Sequence, residues 1–126
     1  RNPFGDTPLM LAALNGHLEI AKRLRGKGAS IEGSGWTPLI YAATGGHDEM
    51  VRYLLGDGAR IDAQSPNGTT ALMMAAREGR YATALLLIDR GANVAIANQD
   101  GATALAWAER SGDEKLVARL KRAGAK

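Results

Sequence analysis

Residues 35–43, GWTPLIYAA, decide the fold, because altered copies of this stretch recur along the chain. The related stretches are GDTPLMLAA from Gly5, GTTALMMAA from Gly68 and GATALAWAE from Gly101. One threonine marks each copy, at intervals of 30, 33 and 33 residues: Thr7, Thr37, Thr70 and Thr103. Self-similarity at a period near 33 residues indicates a stack of structural repeats.

One copy predicts two short helices joined by a turn. Thr37 followed by Pro38 predicts a helix start, because a Thr hydroxyl can cap the helix and Pro suits its first position. Gly46 ends this helix. A second helix is predicted over about 48–55, and Gly58 stops it before a short extended piece and the next turn. Because one such pair buries little apolar surface, we expect the copies to stack and to share one core.

Aligning the copies predicts the core and the ends of the stack. The main apolar column of the second helix holds a leucine in every copy: Leu24, Leu54, Leu87 and Leu120. A neighbouring column is apolar only in the middle copies: Arg25, Leu55, Ile88 and Lys121. In the last copy Glu109 replaces the second alanine of the AA pair, so we expect a polar cap and no further repeat after it. The first copy is less closed, because Leu9 and Leu11 could still need cover.

The repeated stretch resembles the ankyrin repeat, whose signature is TPLHxA on a period of 33 residues. Here it reads TPLMLA, TPLIYA, TALMMA and TALAWA, and the four copies cover nearly the whole chain. The resemblance implies an all-α solenoid of helix–turn–helix units with projecting β-hairpin loops. It implies a single domain over 1–126, with repeats at approximately 2–32, 33–64, 65–97 and 98–126. The family usually binds another macromolecule, mostly protein, on the concave side formed by hairpin tips and first helices.

The chain departs from the family pattern in the signature and in one loop. The signature histidine is replaced by Met10, Ile40, Met73 and Ala106. In the family that histidine helps to tie neighbouring loops, so the resemblance implies looser ties here. The first hairpin is three residues shorter than the others. We expect that three residues of a hairpin tip are absent between Glu32 and Gly33, and that the hairpin itself is of normal length.

The residue content gives no support for catalysis or metal binding. The chain has no cysteine, and its two histidines, His17 and His47, lie one copy apart. Each histidine follows the glycine between the helices, so we predict a local hydrogen bond at the start of the second helix. A metal site needs several convergent ligands. The glycine-rich residues 33–35 lack the lysine and the strand–loop–helix context of a phosphate loop. We therefore expect no enzyme activity, no cofactor and no small-molecule substrate.

The charge of the chain is modest and is spread unevenly. The formal net charge is +3, and the last second helix carries Lys115, Arg119, Lys121 and Arg122. A nucleic-acid footprint gathers basic residues on one face with stacking aromatics, whereas these residues fit a solvated cap. Binding of nucleic acid or an anionic surface through the basic terminal repeats is the main alternative. A third interpretation is that the chain is the repeat segment of a larger protein whose activity lies upstream.

The sequence does not fix the compartment. No apolar run approaches the roughly 18 residues of a membrane span, and no signal-peptide pattern opens the chain. We expect a soluble monomer, either cytoplasmic or, if an upstream signal peptide is missing, secreted or periplasmic.

The aromatic and variable positions predict where a protein partner would bind. Tyr41 and Trp107 align with Leu11 and Met74, and we predict that this column faces the second helix in the core. Trp36, just before the repeated threonine, has two possible roles: packing against the neighbouring loop, or anchoring a bound partner. The positions predicted to contact a partner lie in variable columns and hairpin tips: Phe4, Asp6, Trp36, Thr44, Asn67, Thr69, Arg77, Glu78, Asp100 and Arg110.

Overall fold

Residues 7–31 and 36–124 are described by a computed structural model, in which they form four helix pairs. In chain order the helices are α1 (Pro8–Asn15), α2 (Leu18–Gly26), α3 (Pro38–Gly45), α4 (Asp48–Gly56), α5 (Ala71–Arg77), α6 (Tyr81–Asp89), α7 (Ala104–Ser111) and α8 (Glu114–Arg122). Within these described ranges no strand is formed. The prediction about Glu32 and Gly33 lies outside the described residues.

The repeated threonines begin the first helix of every pair. The Thr7, Thr37 and Thr103 hydroxyls each accept a hydrogen bond of 3.2 Å from the backbone N–H three residues on. Thr70 does the same at 3.3 Å. This bond satisfies one of the amides that the first turn of a helix leaves unpaired. The predicted helix starts are therefore confirmed.

The helices form two layers that differ in packing. The first helices α1, α3, α5 and α7 lie in one row and pack closely on one another, whereas the second helices form a looser row. The alanines of the first helices explain the close row, because small side chains let helix axes approach. The buried ones are Ala12, Ala13, Ala42, Ala43, Ala71, Ala75, Ala76, Ala104 and Ala108. The side of the first-helix row that faces away from the second helices is the free side of that row.

The core lies between the two rows and along the first-helix row. Leu54, Leu87 and Leu120 are fully buried, as the leucine column predicts, and Leu24 in the first pair is half-buried. The neighbouring column follows the prediction only in the last two pairs, since Arg25 and Leu55 are both half-buried. Ile88 is buried, whereas Lys121 is exposed.

The hairpin loops are short turns that rest on one another. Two backbone bonds close each of the last two turns. Ser65 N–H donates to the Thr69 carbonyl and Gly68 N–H to the Ser65 carbonyl, both at 2.8 Å. Asn98 N–H donates to the Ala102 carbonyl and Gly101 N–H to the Asn98 carbonyl, both at 2.9 Å. Gln99 then joins the two tips, because its backbone N–H donates to the Asn67 carbonyl at 2.8 Å. These tips are thus connected without the signature histidine.

The positions of that missing histidine are filled by apolar side chains. Met10, Ile40 and Met73 are buried in the core. The inter-repeat ties that we expected to be looser are made at other positions.

One such tie is made by a histidine for which a local bond was predicted. His47 Nε2 lies 2.8 Å from the Leu14 carbonyl of the preceding pair. Arg80, at the matching position of the third pair, donates from Nε to the Thr44 carbonyl at 3.1 Å. The prediction of a local hydrogen bond is therefore wrong for His47, since the side chain reaches back across the stack. Only Asp113 in this column caps its own helix, accepting from Leu116 N–H at 3.1 Å.

Two glycines make room for these side chains. Gly16 and Gly46 end α1 and α3 with positive φ values of 74° and 73°, a conformation that favours glycine. A Cβ on Gly16 would lie 2.6 Å from His47 Nδ1, and one on Gly46 would lie 2.7 Å from Arg80 Cδ. Any larger residue would therefore strain the backbone and displace the tie between pairs.

Candidate functional site

One face of every first helix lies on this free side of the stack. In α1, Leu9, Ala12 and Ala13 are buried, whereas Leu11 is 44% exposed and Asn15 is also exposed. Residues spaced by three and four share a helix face. The same face in the other pairs therefore contains the aligned residues, and we call this surface the inner face: Leu11, Leu14, Asn15, Tyr41, Thr44, Met74, Arg77, Glu78, Trp107, Arg110 and Ser111.

The column of Tyr41 and Trp107 belongs to this inner face. We predicted that the column faces the second helix, yet Leu11 is exposed although α2 is packed beside α1. Tyr41 and Trp107 are half-buried and rest on the edge of the core. The predicted core role is met only in part, because Met74 of the same column is buried in the core whereas Tyr41 and Trp107 are half-buried against it.

Two aromatic rings meet at the second helix pair. Trp36 and Tyr41 have ring centroids 6.3 Å apart, with their planes tilted by 35°. This separation is within the range at which aromatic pairs attract each other. Trp36 is half-buried, so one part of the indole packs while another part stays accessible. We call these two residues the aromatic pair.

Two arginines meet one indole at the third and fourth pairs. The guanidinium carbon of Arg77 lies 5.5 Å from the ring centroid of Trp107, and that of Arg110 lies 5.0 Å from the same centroid. Both distances are within cation–π range. Arg77 comes from α5, whereas Trp107 and Arg110 lie one turn apart on α7. We call this group the arginine–indole cluster.

The positive charge of this cluster is only partly balanced. Arg77 Nε lies 3.8 Å from a carboxylate oxygen of Glu78, a loose ion pair between exposed side chains. Arg110 forms no ion pair with any residue in the described part of the chain. The inner face therefore carries a net positive spot at its third and fourth pairs.

The outer layer, in contrast, pairs several of its charges. Arg25 donates to Asp57 at 2.6 Å, and Arg119 donates to Asp89 at 3.1 Å. The hydrogen bond to Asp57 raises the pKa of Arg25 above its ordinary value. Of the basic residues on α8, Arg119 is thus engaged within the protein, and Lys115, Lys121 and Arg122 are exposed.

Comparison with known families gives a direct result. A family model described as ankyrin repeats (3 copies) matches residues 1–65 and 58–126. The chain belongs to the ankyrin-repeat family. Ankyrin repeats are generally protein–protein interaction modules and are typically non-catalytic. No curated protein matches the chain.

Two further properties of the ankyrin stack concern other classes of function. Over residues 7–31 and 36–124, no three His, Cys, Asp or Glu side chains are grouped so that they could hold a metal ion. Each helix in those ranges falls short of the length and apolar character that crossing a bilayer requires.

The ankyrin stack brings three of the predicted contact residues onto one exposed surface. Arg77, Glu78 and Arg110 are exposed on the inner face, next to one another. Thr44 is half-buried there, and its hydroxyl donates to the Ile40 carbonyl at 2.8 Å. Trp36 lies just before α3, beside Tyr41. Phe4 and Asp6 lie outside the described residues.

The predicted loop residues are divided between surface and interior. Asn67 and Asp100 are exposed at the tips of the last two hairpins. Thr69 is only 4% exposed, and its backbone N–H donates to Ser65 Oγ at 3.2 Å. Its side chain is part of the loop interior, so it is not available as a contact residue.

Sequence reasoning did not include Tyr41 and Trp107 in the contact set of this ankyrin domain. The signal was present for Trp107, because it precedes Arg110 by three residues and so shares its helix face. For Tyr41 the signal was the alignment with Leu11, whose exposure becomes visible only when the helix pairs are assembled.

Proposed function

We propose that this ankyrin-repeat chain is a non-catalytic module that binds a protein partner on its inner face and on Trp36, which adjoins that face at Tyr41. The observation that carries the proposal is the presence of two half-buried tryptophans on one side of the stack, Trp36 and Trp107, each beside a second aromatic or cationic side chain. Interface energy concentrates in a few Trp, Tyr and Arg side chains, and this surface contains all three types.

The geometry supports binding without large rearrangement. The first-helix row is tightly packed, so the residues of the inner face are held on rigid elements. A preformed surface loses less conformational entropy on association than a flexible one. Asn67 and Asp100, at the tips of the adjoining hairpins, extend the surface and supply polar contacts at its rim.

Binding of nucleic acid through the basic terminal repeats has less support. The exposed basic residues of α8, Lys115, Lys121 and Arg122, lie in the second-helix row, away from the aromatic residues of the inner face. A mobility-shift assay over a salt series tests this alternative, because binding to phosphates weakens steeply as salt rises.

Affinity capture with mass spectrometry tests the main proposal. The immobilised wild-type chain is compared with a Trp36→Ala/Trp107→Ala variant and with a Tyr53→Ala/Tyr81→Ala control, which removes two half-buried aromatics of the second-helix row. We expect a partner that the control retains and the inner-face variant loses. Equal capture by both variants would remove the inner face as the binding surface.

Trp36 provides the sharpest single test. If it is a binding anchor, Trp36→Ala weakens partner binding by about 2 kcal/mol or more, with little loss of stability. If its role is packing beside Tyr41, the melting temperature falls and the affinity of the folded fraction stays the same. Calorimetric titration and a thermal melt on the same variant decide between these results. Tyr53→Ala, on the other layer, serves as the control and should leave affinity unchanged.

A further inference from the structure

We infer that the arginine–indole cluster of Arg77, Trp107 and Arg110 receives the carboxylates of an acidic peptide segment in the partner. This inference rests on the proposed function and specifies the chemistry of the partner at one place on the inner face. It is carried by the placement of two guanidinium groups on one indole, together with the charge pattern along the first helices.

The cluster holds its cations in position before any ligand arrives. Arg77 and Arg110 belong to different helix pairs, yet both guanidinium carbons lie within 5.5 Å of the Trp107 ring centroid. An arginine side chain loses much rotamer freedom when it is fixed by a ligand. Contact with the ring restricts that freedom in advance, so less remains to be lost on binding.

The hydrogen-bonding capacity of the cluster is largely unused. A guanidinium group can bind a carboxylate through two parallel N–H donors. Arg25 donates one N–H to Asp57 at 2.6 Å, and Arg119 donates one to Asp89 at 3.1 Å. Arg77 has only the loose contact with Glu78 at 3.8 Å, and Arg110 has no carboxylate partner among residues 7–31 and 36–124. The cluster is therefore the place on the inner face where an added carboxylate gains most.

The charge pattern along the inner face favours a peptide over a nucleic acid. Non-specific nucleic-acid sites align many cations along a groove, because each phosphate repeats the same charge. Here the cations are confined to the third and fourth pairs. The corresponding positions of the first and second pairs are uncharged: Leu14, Asn15, Thr44 and Gly45. With the aromatic pair next to them, this pattern fits a segment that is apolar at one end and acidic at the other.

Selection from a random peptide library tests the inference directly, because it reports which residue types the surface prefers. A phage-displayed library of dodecapeptides is selected on three proteins: the wild-type chain, an Arg77→Gln/Arg110→Gln variant, and a Lys115→Gln/Arg122→Gln control. The control removes the same number of charges from exposed positions of α8. We expect enrichment of Asp and Glu in peptides selected on the wild type and on the control, and loss of that enrichment on Arg77→Gln/Arg110→Gln. A thermal melt of each variant verifies that it is folded.

The affinity of the most enriched acidic peptide gives a quantitative readout. Arg77→Gln/Arg110→Gln should weaken its binding about 10-fold or more, as expected for loss of charge-assisted hydrogen bonds. Replacing the acidic residues of the peptide by Gln should weaken binding to the wild type by a similar factor. The same peptide change should have little effect on the Arg77→Gln/Arg110→Gln variant, because the arginines that bind the carboxylates are already absent. This non-additivity would show that the two sets of groups interact with each other.

The possible results separate this inference from the proposed function. One result would overturn the acidic-segment inference and leave the protein-binding proposal standing. In that result, the selected peptides show no enrichment of Asp and Glu, but they bind the wild type and fail to bind the Trp36→Ala variant. Recovery of no peptide above a blank surface would count against both. Salt-sensitive binding of single-stranded dT20 that is abolished by Arg77→Gln/Arg110→Gln would also overturn the inference, in favour of nucleic acid.

Discussion

At two matching positions, the first and third helix pairs bury their side chains to very different extents. Ile20 in α2 is 49% exposed, whereas Thr83, at the same position of α6, is 2% exposed. Leu11 is 44% exposed, whereas Met74 at its matching position is 7% exposed. The more apolar residue of each couple is the more accessible one. In this stack, therefore, burial of a column is determined by the neighbouring pairs and not by the hydrophobicity of the residue.

The second and fourth pairs extend the comparison for one column. Met50 and Leu116 align with Ile20 and Thr83, and both are buried. The three buried members each have a described helix pair before them, and Ile20 does not. The covering surface for this column is thus the preceding pair, and the same pair accepts the hydrogen bonds of His47 and Arg80.

The largest effect is expected where both rows enclose a side chain. Leu87→Ala should lower the free energy of unfolding by about 2–5 kcal/mol, because it leaves a cavity at a fully buried position between helices. Lys121→Ala, at an exposed position of α8, should be within about 0.5 kcal/mol of the wild type. Urea denaturation of both variants provides the measurement. Equal losses would show that the last pair is not capped by its polar column.

A smaller effect is expected in the column that distinguishes the ends from the middle. Met50→Ala should lower the free energy of unfolding by about 2–3 kcal/mol, in the lower part of the range for buried residues. The second-helix row is the looser one, so neighbours can partly close over the cavity. Ile20→Ala is the matched control and should change stability by less than about 1 kcal/mol. If Ile20→Ala proved as damaging as Met50→Ala, the preceding pair would not be the source of burial.

The smallest effect is expected for the tie between the first and second pairs. His47→Ala removes the contact with the Leu14 carbonyl and should lower the free energy of unfolding by about 1 kcal/mol, the usual value for one hydrogen bond. His17→Ala should be nearly neutral, because the His17 side chain makes no capping hydrogen bond to α2. Thermal melts of the two variants, compared directly, check the difference. A neutral His47→Ala would mean that packing alone holds these pairs together.

The fold was predictable from the sequence because its determinants are local and repeated. Thr37 and Pro38 specify a helix start within a few residues, and the structure confirms α3 from Pro38 to Gly45. The leucine column of Leu54 and Leu87 follows from the helical period, and both residues are fully buried. Alignment of the copies strengthened each of these local signals.

The parts that were wrong depend on contacts between copies. The His47 bond reaches a carbonyl 33 residues earlier, and nothing within one copy indicates this. The orientation of the column containing Tyr41 and Trp107 is set by which side of the first helix the second-helix row occupies. Thr69 varies like a surface position but is enclosed by its own turn, where Ser65 and Asn67 both accept from its backbone N–H.

The unequal packing of the two rows also has a mechanical consequence. A stack of helices bends most easily where its elements are least constrained, and here that is the second-helix row. The closely packed first helices should keep a nearly constant spacing. We therefore expect bending to change the spacing between α2, α4, α6 and α8 more than the spacing between the first helices. The aromatic pair and the arginine–indole cluster both lie along the first-helix row, so the distance between them should change little during such motion. A partner that contacts both groups would therefore find them at a nearly constant separation.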